Sequence, residues 1–316
     1  MNRSFVVFVL SILVSVLLIG VERMLGIGWD YHQDSITYAT SSIETADAIL
    51  AMEVWNIANG GYYFIAAFFG QSVIIITIYN MFIFAITNVY LAKIHWKLAC
   101  RGEKIVNYLL LLLLLNPYRV HLSTTILKDT TVILLLVLIV YYRRFFIVWF
   151  IPLFLIRIAS ILYLIALVPK KYWKYSIFMA ALLIYFQSGI FIDRLDASNS
   201  VNLHSRSFDV IPTFQEYGYL GSVMRAILWP ILVLTGAFAV VSPAFAYTIV
   251  AIGSVMNLIY SFIVSRRHPV VFYVYVPMAI FAVLAPGFTS YIRYVYPLVV
   301  LSPLILLIQI YSRSFY

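Results

Sequence analysis

The feature that most constrains this chain is its succession of long apolar runs, the first from Phe5 to Gly20. Such runs are too continuous for the strands of a membrane barrel, which alternate at every second residue. Lipid offers no water to backbone N–H and C=O groups, so helices are the structure that remains. Composition agrees. Of 316 residues, 64% are hydrophobic and 10% charged, against about 25% charged in soluble domains. The expected fold is an all-α polytopic membrane protein of about 9–11 transmembrane or re-entrant helices. It forms a single transmembrane domain over residues 1–316.

The net charge of +9 would suggest nucleic acid in a soluble protein. Here the basic residues sit in short clusters between apolar runs, where they mark cytoplasmic ends. No nucleic-acid partner is expected. Cys100 stands alone in a basic cluster, so no internal disulfide forms. No Cys or His spacing resembles a zinc site. There is no Gly-rich phosphate loop and no Ser-His-Asp order, so neither ATP use nor a cofactor is expected. The N-terminal run resembles a signal peptide, but it lacks a small-residue cleavage site and leads directly into Glu22-Arg23. It reads as a retained first span.

Charge then orders the chain. The segment of about residues 21–60 carries Glu22, Asp30, Asp34, Glu44, Asp47 and Glu53, half of the 12 acidic residues, and faces out. A second span lies within Tyr62 to Leu91 and ends inside at Lys93, Lys97, Arg101 and Lys104. The runs Ile105–Leu115 and Thr130–Tyr142 are each shorter than the roughly 20 residues a crossing needs. They flank a polar apex, Asn116 to Asp129, and read as a hairpin closed inside by Arg143-Arg144. Phe145–Pro169 has Arg157 near its middle, with Lys170, Lys171 and Lys174 following. As a second hairpin it places Arg157 at the apex. As one span it places Arg157 mid-membrane, at about 2.5–3.5 kcal/mol, so the hairpin is preferred.

A span over Tyr175–Phe191 leads to the longest polar segment, about residues 192–221. The hairpin reading puts that segment outside, and the single-span reading puts it inside. The outside placement requires an odd number of crossings before Arg266-Arg267-His268. Two runs are visible between Ala226 and Val264, broken near Ser242-Pro243, so one is interfacial or re-entrant. Tyr217 to Trp229 is a candidate interfacial start. Val270–Leu284 crosses outward, Pro286–Arg293 forms a short outer turn, and Tyr294–Ile310 returns, with Arg313 inside. No internal repeat is visible.

An ionisable group in a membrane segment is a functional candidate by default. Five places qualify. In Gly28–Tyr38, Asp30 and Asp34 are four apart and share a face if the segment is helical, with His32 nearby. They suit a general base or a grip on sugar hydroxyls, or else an ordinary acidic loop. The apex holds Arg119, His121, Lys128 and Asp129. Arginine and lysine suit a lipid-linked phosphate or pyrophosphate leaving group. The alternative is an internal Lys128–Asp129 ion pair. Arg157 is third, and a purely structural role for it requires a buried partner such as Asp129. The polar segment supplies His204 and Arg206, followed by Arg225. Arg293, before the last span, is either a site residue or an interfacial arginine.

Several of these stretches resemble a known family. Gly-Trp-Asp…Asp-Ser…Tyr follows the first span, Asn-Pro-Tyr-Arg…Ser-Thr-Thr-Ile-Leu-Lys-Asp forms the apex, Leu-Ile-Arg lies in an apolar run, and Arg-Tyr…Pro precedes the last span. Together they resemble the Wzy-like oligosaccharide repeat-unit polymerases of O-antigen and capsule synthesis, in particular the EpsG-like branch, and the wider GT-C glycosyltransferases. The resemblance implies a GT-C-like fold in a bacterial inner membrane, with the active site facing the periplasm. It implies transfer of a growing glycan from undecaprenyl pyrophosphate onto another lipid-linked repeat unit. Neither metal nor nucleotide sugar is needed. The implied partners are undecaprenyl-pyrophosphate-linked glycans, membrane lipid and a chain-length regulator. Arg119, Lys128, Arg157 and Arg206 would hold the pyrophosphate, and Asp30 or Asp34 would take the acceptor proton. At 316 residues the chain is short for such polymerases. The alternatives are a GT-C transferase adding one sugar from a polyprenyl-phosphate donor, and a transporter of lipid-linked sugar.

Overall fold

A computed structural model of the chain describes residues 2–51, 57–99, 114–157, 160, 162–163, 166, 211, 214–241, 245–264, 270–285 and 287–310. Every regular element among them is helical. Contacts group the chain into two compact units, Met1–Ser160 and Ile161–Tyr316.

The first helix, α1 (Arg3–Met24), starts at Asn2, whose side chain accepts from the Ser4 N–H at 3.0 Å. Its burial is inverted. The residues it buries are Ser11, Ser15 and Glu22, while Leu17 is 70% and Met24 89% exposed. Water would not favour so long an apolar face. Lipid would, and the polar side chains must then turn toward protein. At 100° per residue the three polar positions fall within about 40° of one another, on one stripe. That stripe faces α5 (Val73–Ala99) and α6 (Pro117–Thr124), the two helices against which α1 packs.

Between α1 and α5 the acidic segment is largely helical. A 3-10 turn at Trp29–Tyr31 leads into α2 (Gln33–Thr40), α3 (Ser42–Leu50) and α4 (Ile57–Phe68). The run from Tyr62 to Leu91, expected to hold one span, is divided. Gly70 and Gln71 take φ of 60° and 58°, which turns the chain and separates α4 from α5. Helix α4 packs against α8 (Phe146–Ile156). Gly61 permits this, because a Cβ there would lie 3.0 Å from the Leu155 carbonyl.

The polar apex is not irregular throughout. It folds into α6, capped by Asn116 with Pro117 in the first turn. Helix α7 (Asp129–Tyr141) follows, bent by 119° from α6. The break between them holds carbonyls without helical donors, and protein groups supply what is missing. Asn80 Nδ2, from α5, donates to Thr125 O at 2.6 Å and Leu127 O at 3.2 Å. The Tyr62 hydroxyl bonds the same amide. Thr130 Oγ1 donates to Leu122 O at 3.0 Å. Such a break is tolerated at membrane depth when it is buried in protein.

The second unit contains α9 (Gly218–Thr235), α10 (Phe238–Val241), α11 (Phe245–Val264), α12 (Val270–Leu284) and α13 (Phe288–Ile310). Helix α9 runs unbroken through the expected interfacial start and ends at Gly236, whose φ of 71° forms a left-handed cap. It packs on α12, and α12 and α11 pack on α13. Trp229, Phe238, Phe288 and Tyr291 cluster there, with neighbouring ring centroids 5.3–6.0 Å apart. Because α13 begins at Phe288, Arg293 lies inside a helix rather than in the expected outer turn.

Among the described residues, α1, α5 and α9 are long and apolar enough to cross a bilayer, and α6–α7 adds a fourth if taken as one broken span. Helices α8 and α12 are apolar and shorter. The arm at 105–113, the basic clusters at 101–104, 170–174 and 266–268, the span 175–191, Pro243, Arg313 and most of 192–213 lie outside the described residues. If Asn80 satisfies the break, Asn80→Leu strands two carbonyls at about 1–3 kcal/mol each. A marked fall in thermal unfolding temperature in detergent is expected, with a smaller one for Tyr62→Phe.

Candidate functional site

Helix α1 delivers Glu22 to the end of its polar stripe, where a carboxylate needs partners to be buried. Both oxygens find them. Oε1 lies 2.6 Å from His121 Nδ1 and Oε2 lies 2.8 Å from Thr124 Oγ1, both on α6. His121 is fully buried, and its other ring nitrogen lies 2.9 Å from Nε2 of His32. Glu22, His121 and His32 therefore form one continuous hydrogen-bonded chain. Tyr118 stacks on the His121 ring at 5.9 Å, and Tyr31 stands edge-on to both imidazoles. His32 sits in extended backbone (φ −100°, ψ 128°) between the 3-10 turn and α2, and this lets the loop reach inward.

Deeper along the same stripe is a second set of contacts. Ser15 Oγ bonds Ser123 Oγ at 2.8 Å. Asn88 donates to Ser11 Oγ at 2.9 Å and accepts from Arg119 at 2.7 Å. The Arg119 guanidinium also lies 5.1 Å from the centre of the Phe84 ring. Ser11 and Glu22 are about 16 Å apart along α1, at about 1.5 Å per residue. The polar contacts thus cover a length of α1 equal to roughly half the thickness of a hydrocarbon layer of about 30 Å.

On the far side of the break, Asp129 opens α7 and accepts from Arg157 at 2.8 Å, with both side chains buried. Arg157 is the extended residue that ends α8. The buried partner that a structural role for Arg157 requires is therefore present, and it is Asp129. Lys128 is half-buried at the start of α7.

Of the residues expected at a site, His121 and Arg119 belong to one polar network with α1. Asp129 and Arg157 form a pair. Asp30 and Asp34 do not share a helical face, because the chain breaks at His32. Asp30 lies exposed in the 3-10 turn, and Asp34 half-buried in the first turn of α2. Arg225 is buried in the second unit, donating to Ser222 Oγ at 2.9 Å, with its guanidinium 5.5 Å from the Trp229 ring centre. Arg293 is half-buried on α13. His204 and Arg206 lie outside the described residues. Sequence reasoning placed Glu22 in an outer acidic loop and gave His32 only a neighbouring role. The spacing Ser11, Ser15, Glu22 was the available signal, a polar stripe at helical period within an apolar run.

No group of three or more His, Cys, Asp or Glu that could hold a metal ion occurs among the described residues. Comparison of the chain with protein-family models, with curated proteins and with solved structures finds no match.

The Asp129–Arg157 pair sets a clear expectation. Arg157→Ala or Asp129→Ala leaves a buried charge uncompensated, costing about 3–5 kcal/mol. The double substitution Asp129→Ala with Arg157→Ala should recover much of that loss in detergent unfolding. Equal instability of the double and single variants would contradict the pair as the source.

Proposed function

We propose that the chain is a membrane glycosyltransferase that joins undecaprenyl-pyrophosphate-linked oligosaccharide repeat units at the periplasmic face of a bacterial inner membrane. One observation carries the reading. The acidic loop and the cationic apex, two far-separated stretches singled out for their chemistry, meet through His32 and His121 at 2.9 Å. A transferase of this kind needs a proton acceptor for the attacking hydroxyl next to cations for the departing pyrophosphate. Both residue classes occur around the bend between α6 and α7.

In this reading the attacking sugar oxygen bonds to the anomeric carbon of the donor. The bond from that carbon to the pyrophosphate oxygen breaks, and undecaprenyl pyrophosphate leaves with the electron pair. Lys128 and Arg119 stabilise the negative charge that develops there. Arg157 contributes while held in register by Asp129. Asp30 or Asp34, in and next to the 3-10 turn, takes the proton of the acceptor hydroxyl. A chain-length regulator is the expected protein partner. The GT-C-like architecture and the polymerase activity both rest on the sequence resemblance. A single-sugar GT-C transferase is the second reading, favoured by Asp30 and Asp34 in the first polar segment after α1.

Lipid-linked glycans extracted from cells lacking the protein separate these readings. A polymerase defect leaves a single complete repeat on the outer face, and that is the expected result. A repeat missing one sugar would instead support the single-sugar transferase. Intact repeats stranded inside would overturn transfer in favour of transport. Lys128→Ala should abolish long chains while the protein still inserts, and a normal ladder of chain lengths would remove Lys128 from the site. A cysteine at Ser200, in a Cys100→Ser background, should react with an impermeant label from outside. Protection would place residues 192–221, with His204 and Arg206, in the cytoplasm and away from the periplasmic face.

A further inference from the structure

The hydrogen-bonded chain Glu22–His121–His32 has an order that chemistry can use. Opposite a carboxylate, His121 Nδ1 carries the ring hydrogen and donates it to Glu22. Its Nε2 then accepts, so the hydrogen in the 2.9 Å contact belongs to His32 Nε2. With that tautomer every link points the same way, from His32 toward Glu22. The outermost member is half-buried and the two inner ones are buried. Thr124 Oγ1 holds the second carboxylate oxygen at 2.8 Å. The charged groups on neighbouring helices have contacts of their own. Arg119 donates to Asn88, Asp129 accepts from Arg157, and Lys93 and Lys97 lie over Tyr90 and Tyr141. Buried His95 bonds the Leu91 carbonyl. Asp30, Asp34 and the Tyr31 hydroxyl are the titratable groups on the loop that carries His32, and Tyr118 is the one stacked on His121.

From this arrangement we infer that Glu22, His121 and His32 are a proton relay that takes up the proton of the attacking hydroxyl, entering at His32 and ending on Glu22. The inference rests on the glycan-transfer reading and replaces Asp30 or Asp34 as the base within it. As the sugar oxygen bonds to the anomeric carbon, its proton passes to His32. His32 releases its Nε2 hydrogen to His121 Nε2, and His121 releases its Nδ1 hydrogen to Glu22 Oε1. One hydroxyl proton is lost and one carboxylate becomes a carboxylic acid, while both imidazoles end neutral. The undecaprenyl pyrophosphate departs with the electron pair of the broken bond. Proton return along the same chain resets the site. A relay of this kind lets a base buried among helices serve a substrate that reaches only the loop.

The test uses the full chain in liposomes, supplied with undecaprenyl-pyrophosphate-linked glycan extracted from a strain lacking the protein. Glu22→Gln retains the hydrogen-bonding shape but cannot take a proton. Its rate of chain extension at neutral pH is expected to fall by about 10²–10⁴, the usual range for a lost acid–base group. The deficit should shrink as pH is raised, because hydroxide then replaces the relay. His32→Gln, at the half-buried end where folding is least at stake, should show the same pH-dependent deficit. Wild-type rates in either variant, or a deficit equal at every pH, would overturn the relay while leaving glycan transfer standing. Failure of the wild-type protein itself to extend the extracted glycan would overturn the transfer reading, and the relay with it.

Discussion

Glu22 is a carboxylate at the end of a helix whose outward face is almost wholly apolar, and the first unit is organised around making that tolerable. Removing a carboxylate from water is expensive unless hydrogen bonds replace its hydration. His121 and Thr124 replace it on both oxygens. Because they sit one turn apart on α6, that short helix is fastened to α1 at one end. The Ser15–Ser123 contact adds to that end, and Arg119–Asn88–Ser11 ties the other part of α6 to α1 through α5. The burial of polar groups, which in a water-soluble core would be the exception, is here the main means of specifying which helices touch.

The same inversion explains the rest of the unit. Where lipid surrounds a helix, apolar area gives little preference for one neighbour over another, and close packing and hydrogen bonds decide. Gly61 provides the first, letting α4 reach the backbone of α8. Asn80 provides the second, serving two carbonyls at once across the break between α6 and α7. In the second unit the division differs. There a cluster of aromatic rings around Trp229 accompanies the single buried cation, Arg225, among the described side chains of α9.

Much of the helical layout was legible in the sequence because it depends on run length and hydropathy. Phe5–Gly20 maps onto α1, and Val270–Leu284 is α12 residue for residue. The division of Tyr62–Leu91 was not legible, since Gly70 and Gln71 turn the chain without any polar residue strong enough to interrupt the apolar pattern. The apex was recognised as polar and bent, but its helical half, α6, was not, because Arg119, His121 and Ser123 read as loop chemistry until α1 and α5 are there to receive them. For Arg157 the sequence offers a site residue or a structural cation with a buried partner such as Asp129, and the pair with Asp129 is present in the fold. The partners of His121 were out of reach. Pairings 89 and 99 residues apart in sequence, to His32 and Glu22, leave no local trace.

The polar stripe of α1 has a consequence for how this chain tolerates variation. Its outward positions meet only a fluid that accepts Leu, Val, Ile or Phe alike, so they are free to drift one at a time. Ser11, Ser15 and Glu22 are not, because each completes the hydrogen bonding of a side chain on another helix, and a lone replacement strands that distant partner. Positions 11 and 88, 15 and 123, and 22 and 121 should therefore change in matched steps or stay as they are, although each pair is separated by at least seventy residues of chain.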